Sequence, residues 1–399
     1  MRTARDTSVI AAAAAALVLG LTACTVGGSS TDPAQQPDLE RTPAVSGQPL
    51  EPADTEDVLL PTQFDQLVTV EPAWDLPVQF GENIALSAEE TDHSLVFHAV
   101  DSAGAVLWSA ERPRICSGFV VTEDAEGREL AVLTDTEPGS DAIAVLTASA
   151  YDLATGDPVW GPVELPGPHA GPGLVFQAPP EGFMGESGEA VALDPSTGQR
   201  LDADGGRALG EFAGTVVRAT ADALTGSRGN GEVLWEIPAD GLGDGVAIAD
   251  LSVSPQTVAA TGLLLLDTGS GTGPVLDLAT GTVLASAARD AAQDAGSATT
   301  ALLDTESLRI LDDQGDEQLT VPVSAETSLE AVVGVLVYLR DGSSVRVLNG
   351  VTGDVAQAYP QDGEGTIALP AHVTVQGTGT LVAGERTLLA TTRVAHDQG

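Results

Sequence analysis

The stretch YDLATGDPVW, Tyr151 to Trp160, contains a phrase that recurs along the chain. Similar stretches begin at Val191 (VALDPSTGQRL), Val275 (VLDLATGTVL) and Val347 (VLNGVTGDVA). In each, an apolar run ends in Asp or Asn, Gly follows within a few residues, and a second apolar run begins. Asp bonds to nearby backbone in turns and Gly accepts a positive φ, so the phrase predicts a β-hairpin.

The hairpin phrase defines a repeat. Its turn glycines are Gly104, Gly156, Gly198, Gly231, Gly281, Gly315 and Gly353. Their mean spacing is about 41 residues, the length of one four-stranded propeller blade. Trp108, Trp160 and Trp235 each follow their turn glycine by four residues, and Trp74 stands outside this pattern. The chain is therefore predicted to be an all-β protein built from repeated units.

An apolar strand, a D-x-x-T-G turn and a Trp four residues later together resemble the blade repeat of the pyrroloquinoline-quinone-type (PQQ-like) β-propellers. The resemblance covers about residues 64–395 and is closest around Gly104, Gly156 and Gly231. It implies that the four tryptophans pack between neighbouring blades. A β-sandwich with ordinary hairpins is the alternative, but it would not place Trp in phase with the repeat.

The length of the repeat region favours eight four-stranded blades. Seven is the alternative, because only seven turns are visible. The eighth blade would be a composite. Residues 372–393 would supply its inner strands, and residues 67–74, which carry Trp74, would supply its outer strand. Such an arrangement closes the ring and hides the edges of an open sheet. Elsewhere, the alanine-rich segment ARDAAQDAG from Ala288 is the one candidate for a short helix.

The N-terminus predicts export. Arg2 and Arg5 precede an apolar run from Val9 to Leu21, which is too short to span a bilayer but suits a signal peptide. The run ends in Leu21-Thr22-Ala23-Cys24, which resembles the bacterial lipobox. This resemblance implies cleavage between Ala23 and Cys24, lipidation of Cys24 and a location on the outer face of the cytoplasmic membrane. A buried Cys after an ordinary signal, or an uncleaved anchor helix, is the alternative.

The remaining boundaries follow from composition. Residues 1–23 are the predicted lipoprotein signal peptide. Residues 24–63 are rich in Pro, Gly, Ser, Thr, Asp and Gln, contain no aromatic residue, and are predicted to be a disordered tether. Residues 64–395 form the predicted propeller, and residues 396–399 a short tail.

The charge is strongly acidic. The chain has 58 acidic and 16 basic residues, a formal net charge of −42, and its basic residues are all arginine. Nucleic acid and anionic lipid headgroups would be repelled, so both are excluded as partners. The negative electrostatic field favours a cationic partner or metal ions. The alternative explanation of the charge is a solvated acidic surface that keeps an exported protein soluble.

Few motifs for chemistry are present. Quinone-dependent enzymes with this repeat use two adjacent cysteines, and this chain has only Cys24 and Cys116, so no quinone and no other cofactor is predicted. The histidines show no metal spacing, and the acidic stretches at Asp202–Asp204 and Asp312–Glu317 lack a full calcium ligand series. Arg112 and Arg114 beside Cys116 suggest an anion site or a reactive thiol; a buried Cys is the alternative.

The function predicted is that of a membrane-tethered, non-enzymatic scaffold that binds an extracytoplasmic protein or ligand. The competing prediction is an enzyme or small-ligand sensor that uses carboxylates at the propeller's central channel. Asp, Glu and His side chains converging at one mouth would favour the competing prediction. An apolar or loop-rich face would favour the scaffold.

Overall fold

The structure, a computed structural model, describes residues 39–138, 144–178, 188–201, 206–243, 245–254 and 262–394. The predicted signal peptide, Cys24, the first part of the predicted tether and the tail lie outside the described residues. No helix in the described ranges is long and apolar enough to cross a membrane.

Almost all regular structure is β-strand, apart from two short 3₁₀ turns at Ala239–Leu242 and Ile248–Asp250. In chain order the strands are β1 (Ala44–Pro49), β2 (Val58–Leu59), β3 (Leu67–Val70), β4 (Gln79–Phe80), β5 (Ile84–Glu90), β6 (Leu95–Asp101), β7 (Ala105–Arg112), β8 (Phe119–Glu123), β9 (Glu129–Pro138), β10 (Ala144–Asp152), β11 (Pro158–Glu164), β12 (Val175–Gln177), β13 (Ala190–Ala192), β14 (Arg207–Phe212), β15 (Thr215–Ala219), β16 (Ala223–Arg228), β17 (Val233–Pro238), β18 (Ser252–Val253), β19 (Leu263–Asp267), β20 (Gly273–Asp277), β21 (Val283–Ala288), β22 (Asp290–Gln293), β23 (Thr300–Leu303), β24 (Ser307–Leu311), β25 (Glu317–Pro322), β26 (Thr327–Val333), β27 (Leu336–Asp341), β28 (Ser344–Asn349), β29 (Thr366–Ile367), β30 (Leu369–Val373), β31 (Gly379–Ala383) and β32 (Arg386–Val394).

These strands form an all-β propeller of antiparallel blades, which confirms the predicted fold class. Among the described residues, seven sheets have three to five strands: blade 1 (β4–β7 with β1), blade 2 (β8–β11), blade 3 (β14–β17), blade 4 (β18–β21), blade 5 (β22–β25), blade 6 (β26–β28) and blade 7 (β30–β32 with β3). A two-stranded sheet, β12–β13, lies between blades 2 and 3 in chain order, and β2 pairs in parallel with β29. The described sheets therefore support seven blades rather than the favoured eight.

The core is distributed between blades. Leu86, Phe97 and Trp108 of blade 1 pack against Phe119 and Leu133 of blade 2 in one buried cluster. A comparable cluster joins blades 3 and 4, and another joins blades 5 and 6. Because a blade is covered on both faces, strands such as β23 are buried at every residue rather than at alternate residues. Each blade thus depends chiefly on its neighbours, as in other repeat proteins.

The recurring phrase couples one unit to the next. Nε1 of Trp108 donates a hydrogen bond of 2.8 Å to the carbonyl of Leu153, which lies within the following D-x-x-T-G turn. Trp160 and Trp235 donate in the same way to Pro195 and Leu278, each at 2.7 Å. In all three turns the acceptor is the residue directly after the Asp.

The turn glycines complete this coupling. All seven have φ between +69° and +85°, the left-handed region that glycine adopts without strain. At Gly156, Gly198 and Gly281 an added Cβ would lie only 2.7–3.0 Å from the indole of Trp108, Trp160 and Trp235, respectively. The glycine therefore serves the turn and also makes room for the tryptophan of the preceding unit.

The ring closes through the N-terminal part of the chain. Strand β3 pairs antiparallel with β32, with Thr69 opposite Ala390 and Val70 opposite Leu389. The strand ends at Val70, so Trp74 lies beyond it. Trp74 is half-buried against the small cluster of Val70, Val100 and Leu389, between blades 7 and 1. Its Nε1 has no hydrogen-bond partner among the described residues, unlike the other three tryptophans.

The prediction of a disordered tether for residues 24–63 is wrong for residues 39–63. Strand β1 adds a fifth, outermost strand to blade 1, and β2 pairs with β29. The guanidinium of Arg386 also binds Glu71, Asp57 and the carbonyl of Asp54. Composition did not reveal these contacts because they use backbone groups and exposed polar side chains; every side chain of β1 is exposed.

Candidate ligand-binding site

A cavity of about 500 Å³ opens at one face of the propeller. This face carries the turns between the first and second strands of each blade. Blades 1, 2, 3, 4, 5 and 7 all contribute lining residues. This volume lies within the range of small-molecule sites, which is about 300–1,000 Å³. Much of the wall is apolar, with Phe80, Val121, Leu234 and Leu278 among its residues. The topology of the ring, rather than any local motif, brings these side chains together.

Three carboxylates enter this cavity. Glu123 and Glu129 lie directly opposite each other where strands β8 and β9 meet their connecting turn, and Glu82 comes from the adjacent blade. The backbone N–H of Glu82 donates to Oε1 of Glu129. Burial raises the pKa of Glu123, and the negative charge of Glu129 raises it further. Burial also raises the pKa of Glu129; the hydrogen bond from the Glu82 N–H opposes this shift, and the negative charge of Glu82 adds to it.

The turn between Glu123 and Glu129 is held by Asp124, which is itself buried. Its carboxylate accepts hydrogen bonds from the backbone N–H of Glu126 and Arg128 and from Nε of Arg128. Burial raises the pKa of Asp124, but these hydrogen bonds outweigh it and hold the pKa below its usual value. The turn is thus a rigid support for the two glutamates at its ends.

A second buried carboxyl supports the cavity wall from behind. Glu211 of blade 3 is only 1% exposed and accepts hydrogen bonds from Thr122 Oγ1, the Gly214 N–H (2.8 Å) and the Leu174 N–H (3.1 Å). Burial raises its pKa. These bonds tie blade 2, the segment before β12 and blade 3 together, and they fix Thr122 beside Glu123.

The aromatic part of the wall is a stacked pair. The rings of Phe80 and His372 lie 4.2 Å apart between centroids at an interplanar angle of 23°. His372 is 9% exposed, and its ring makes no hydrogen bond within the described residues. Burial lowers its pKa to about 4, so the ring is neutral near neutral pH. An unpaired, nearly buried imidazole therefore lines the cavity.

Arg228 is the one basic side chain among the described lining residues. Its positive charge lowers the pKa of Glu123 and so opposes the shift caused by burial. Three carboxylates against one guanidinium still leave the cavity with an excess of negative charge. The arrangement is suited to binding a positively charged group.

The other described histidines have separate surroundings. His98 pairs with Glu89 at 3.9 Å, the His169 ring contacts the Gly173 carbonyl, His93 is exposed, and His396 lies outside the described residues. Asp312 accepts the backbone N–H of Gln314 and Asp316, which is turn chemistry. Asp202–Asp204 lies outside the described residues. No group of three His, Cys, Asp or Glu side chains in the described ranges could hold a metal ion.

The structure favours the buried-Cys alternative for the basic cluster near Cys116. Cys116 is buried, and burial followed by the charge of Asp135 raises the pKa of its thiol. Arg112 is buried beneath the N-terminal segment, where it donates to the carbonyl of Arg41 and to the Tyr151 hydroxyl. Arg114 pairs with Glu90. The cluster anchors residues 39–41 to the propeller.

Sequence reasoning missed the residues of this site. Phe80, Glu82 and Glu129 belong to no motif, and His372 was grouped with histidines that lack metal spacing. Phe80 and His372 are far apart in the sequence and meet only because the ring closes. The one local signal was the like-charged pair Glu123 and Glu129, which flanks the turn Asp124–Arg128. Strand pairing places these two residues opposite each other.

The solved structures to which this chain is similar include the following two. The WD40 domain of coronin from Toxoplasma gondii has 9% identity and a TM-score of 0.31, over 90% of this chain and 87% of that chain. Apo AztD from Citrobacter koseri has 14% identity and a TM-score of 0.34, over 74% of this chain and 76% of that chain. No family model and no curated protein matches the sequence. At these identities and TM-scores neither likeness bears on function.

Proposed function

We propose that this protein is a lipid-anchored, extracytoplasmic, non-enzymatic binding protein whose ligand occupies the cavity at one mouth of the propeller. The observation that carries the proposal is the convergence of Glu82, Glu123, Glu129 and His372 on a cavity of about 500 Å³. Convergence of this kind is what the competing small-ligand prediction expects, and it favours a small-ligand site over a protein-binding scaffold.

Two alanines provide a matched test. Ala279 and Ala154 occupy the same place in two D-L-A-T-G turns, and both are exposed, but only Ala279 lines the cavity. A thermal-shift screen with fragments of positive, neutral and negative charge should find ligands that stabilise the wild type and the Ala154→Trp variant. The same ligands should fail on Ala279→Trp. If no fragment of any charge class depends on Ala279, the cavity is not a binding site.

The membrane location rests on the lipobox at Leu21–Cys24. A thiol at this place is the acceptor for the diacylglyceryl group, and more than one acyl chain is needed for stable anchoring. Cys24→Ser should therefore release the protein from the membrane fraction and remove the mass of the lipid. A Ser variant that stays membrane-bound at unchanged mass would refute the anchor.

We further propose that the blades are of the PQQ-like type. The support is the recurring contact between units: Nε1 of Trp160 bonds to Pro195 just beyond β13, as Nε1 of Trp108 bonds to Leu153 in blade 2. Slow amide exchange at Val191 and Ala192, matching that of β9, is expected if this contact stabilises the β12–β13 sheet. Rapid exchange there would argue against the PQQ-like contact at this unit.

A further inference from the structure

The strand pair Glu123–Glu129 is an unfavourable arrangement for a protein that binds nothing. Like charges directly opposite each other on neighbouring strands destabilise a sheet, and burial increases the cost. Burial raises the pKa of both carboxyls, and the negative charge of Glu129 raises that of Glu123 further. Gly81 allows the crowding, because an added Cβ there would overlap Oε1 of Glu129. A positive group between the carboxylates would relieve the repulsion.

The lining distinguishes an organic cation from a metal ion. Beyond the three carboxylates, Arg228 and three threonines, the wall is apolar or aromatic, and no set of described side chains has the arrangement of a metal site. Hard metal ions take six or more oxygen ligands or retain their water, which an apolar wall does not replace. An organic amine or guanidinium brings its own apolar body, which suits this lining.

The aromatic pair supplies an independent indication. His372 is more than nine-tenths buried, lines the cavity, and has no hydrogen-bond partner in the described part of the chain. The ring nitrogens are not fully buried and have no partner in the described part of the chain, so they are available to a ligand. The adjacent ring of Phe80 offers a π-system, and aromatic faces attract organic cations.

We infer that the cavity takes a small organic cation, an ammonium or guanidinium on an apolar body, with its charge between Glu123 and Glu129 and its body against Phe80 and His372. This inference rests on the proposed binding function and names the ligand class of the same site. The formal net charge of −42 acts in the same direction, since it raises the local concentration of cations around the protein.

Isothermal titration calorimetry on the full-length chain tests the inference with 2-phenylethylamine and its uncharged counterpart 2-phenylethanol. The amine should bind, and the alcohol should bind about tenfold more weakly or not measurably. Glu123→Gln with Glu129→Gln should weaken the amine about tenfold, and His372→Phe should weaken it to a smaller extent. Glu326→Gln, an exposed change away from the cavity, should leave the affinity unaltered.

The outcomes separate ligand class from binding function. Three results would overturn the organic-cation inference: equal binding of the alcohol, no binding of the amine, or an amine affinity that is unchanged in the double Gln variant. In any of these cases the cavity proposal still stands if other fragments bind in an Ala279-dependent manner. If the double variant fails to fold, the single variant Glu123→Gln replaces it, and unchanged amine affinity there would also overturn the inference.

Discussion

Three tryptophans with the same sequence spacing differ in burial. Trp108 and Trp235 are buried and Trp160 is half-buried, although all three donate to a carbonyl of the next unit. Changing Trp108 or Trp235 to Ala should lower the free energy of unfolding by about 3–5 kcal/mol, because a large cavity forms between blades. Trp160→Ala should cost less. Denaturant titration checks this order; equal and negligible losses would contradict interblade packing.

Asp290 of β22 should make the stability of the protein depend on pH. Burial raises its pKa to about 6, against hydrogen bonds from the backbone N–H of Ala291 and Leu329 and the charge of Arg289 that lower it. The folded-state pKa lies above the ordinary value of 3.8, so this group's contribution to stability is complete below about pH 4 and is lost as pH rises through 6.

Asp290→Asn removes that titration and keeps a hydrogen-bond acceptor. The variant should match the wild type near pH 4 and exceed its stability above pH 6, by on the order of 2–3 kcal/mol. Thermal unfolding across this range measures the difference. Asp313→Asn, at an exposed turn, is the control. A variant that is less stable than the wild type at pH 8 would contradict the account.

At the scale of the element, the turn glycines separate backbone conformation from packing. Gly281 and Gly315 both have positive φ, but an added Cβ at Gly281 would lie 2.7 Å from the Trp235 ring, whereas nothing lies within 4 Å at Gly315. Both Gly→Ala variants should lose about 1 kcal/mol from strain. Gly281→Ala should lose more, since the indole must move. Equal melting temperatures for the two would argue against the coupling of turn and tryptophan.

The hairpins were predictable because their information is local. Asp, Thr and Gly within five residues set the turn, and Trp at a fixed offset sets the contact with the next unit. Leu319 follows the same rule. It stands four residues after Gly315 and lies 3.4 Å from a Cβ added at Gly353. A search for a large apolar residue four positions after each turn glycine, rather than for Trp alone, would have identified Leu319.

Other elements depend on distant partners and were not predictable. The Ala-rich segment from Ala288 favours a helix by propensity, yet Asp290–Gln293 is the first strand of blade 5. Pairing with β23 and packing against blade 6 override that weak preference. Strand β1 was missed because it has no apolar pattern. An added edge strand needs only backbone pairing, which leaves no mark in the sequence. The cavity residues were missed since only ring closure brings Phe80 to His372.

At the scale of the whole molecule, the N-terminal part of the chain holds the ring in two ways that truncation separates. A chain beginning at residue 50 loses β1 and the carbonyl of Arg41 that binds the buried Arg112, so it should lose about 1–3 kcal/mol but stay monomeric. A chain beginning at residue 76 also loses β3, which exposes the edge of β32 and should cause aggregation. Size-exclusion chromatography distinguishes them; a monomeric, folded chain from residue 76 would refute closure by β3.

Hydrogen–deuterium exchange with saturating 2-phenylethylamine tests most directly whether the mouth of the propeller is the binding site. Our account predicts slower exchange in residues 80–82, 121–129 and 372–375, which belong to blades 1, 2 and 7 and include residues that line one cavity. Exchange in the outer strand β28 should not change. Protection confined to outer strands, or no protection at saturation, would contradict the account.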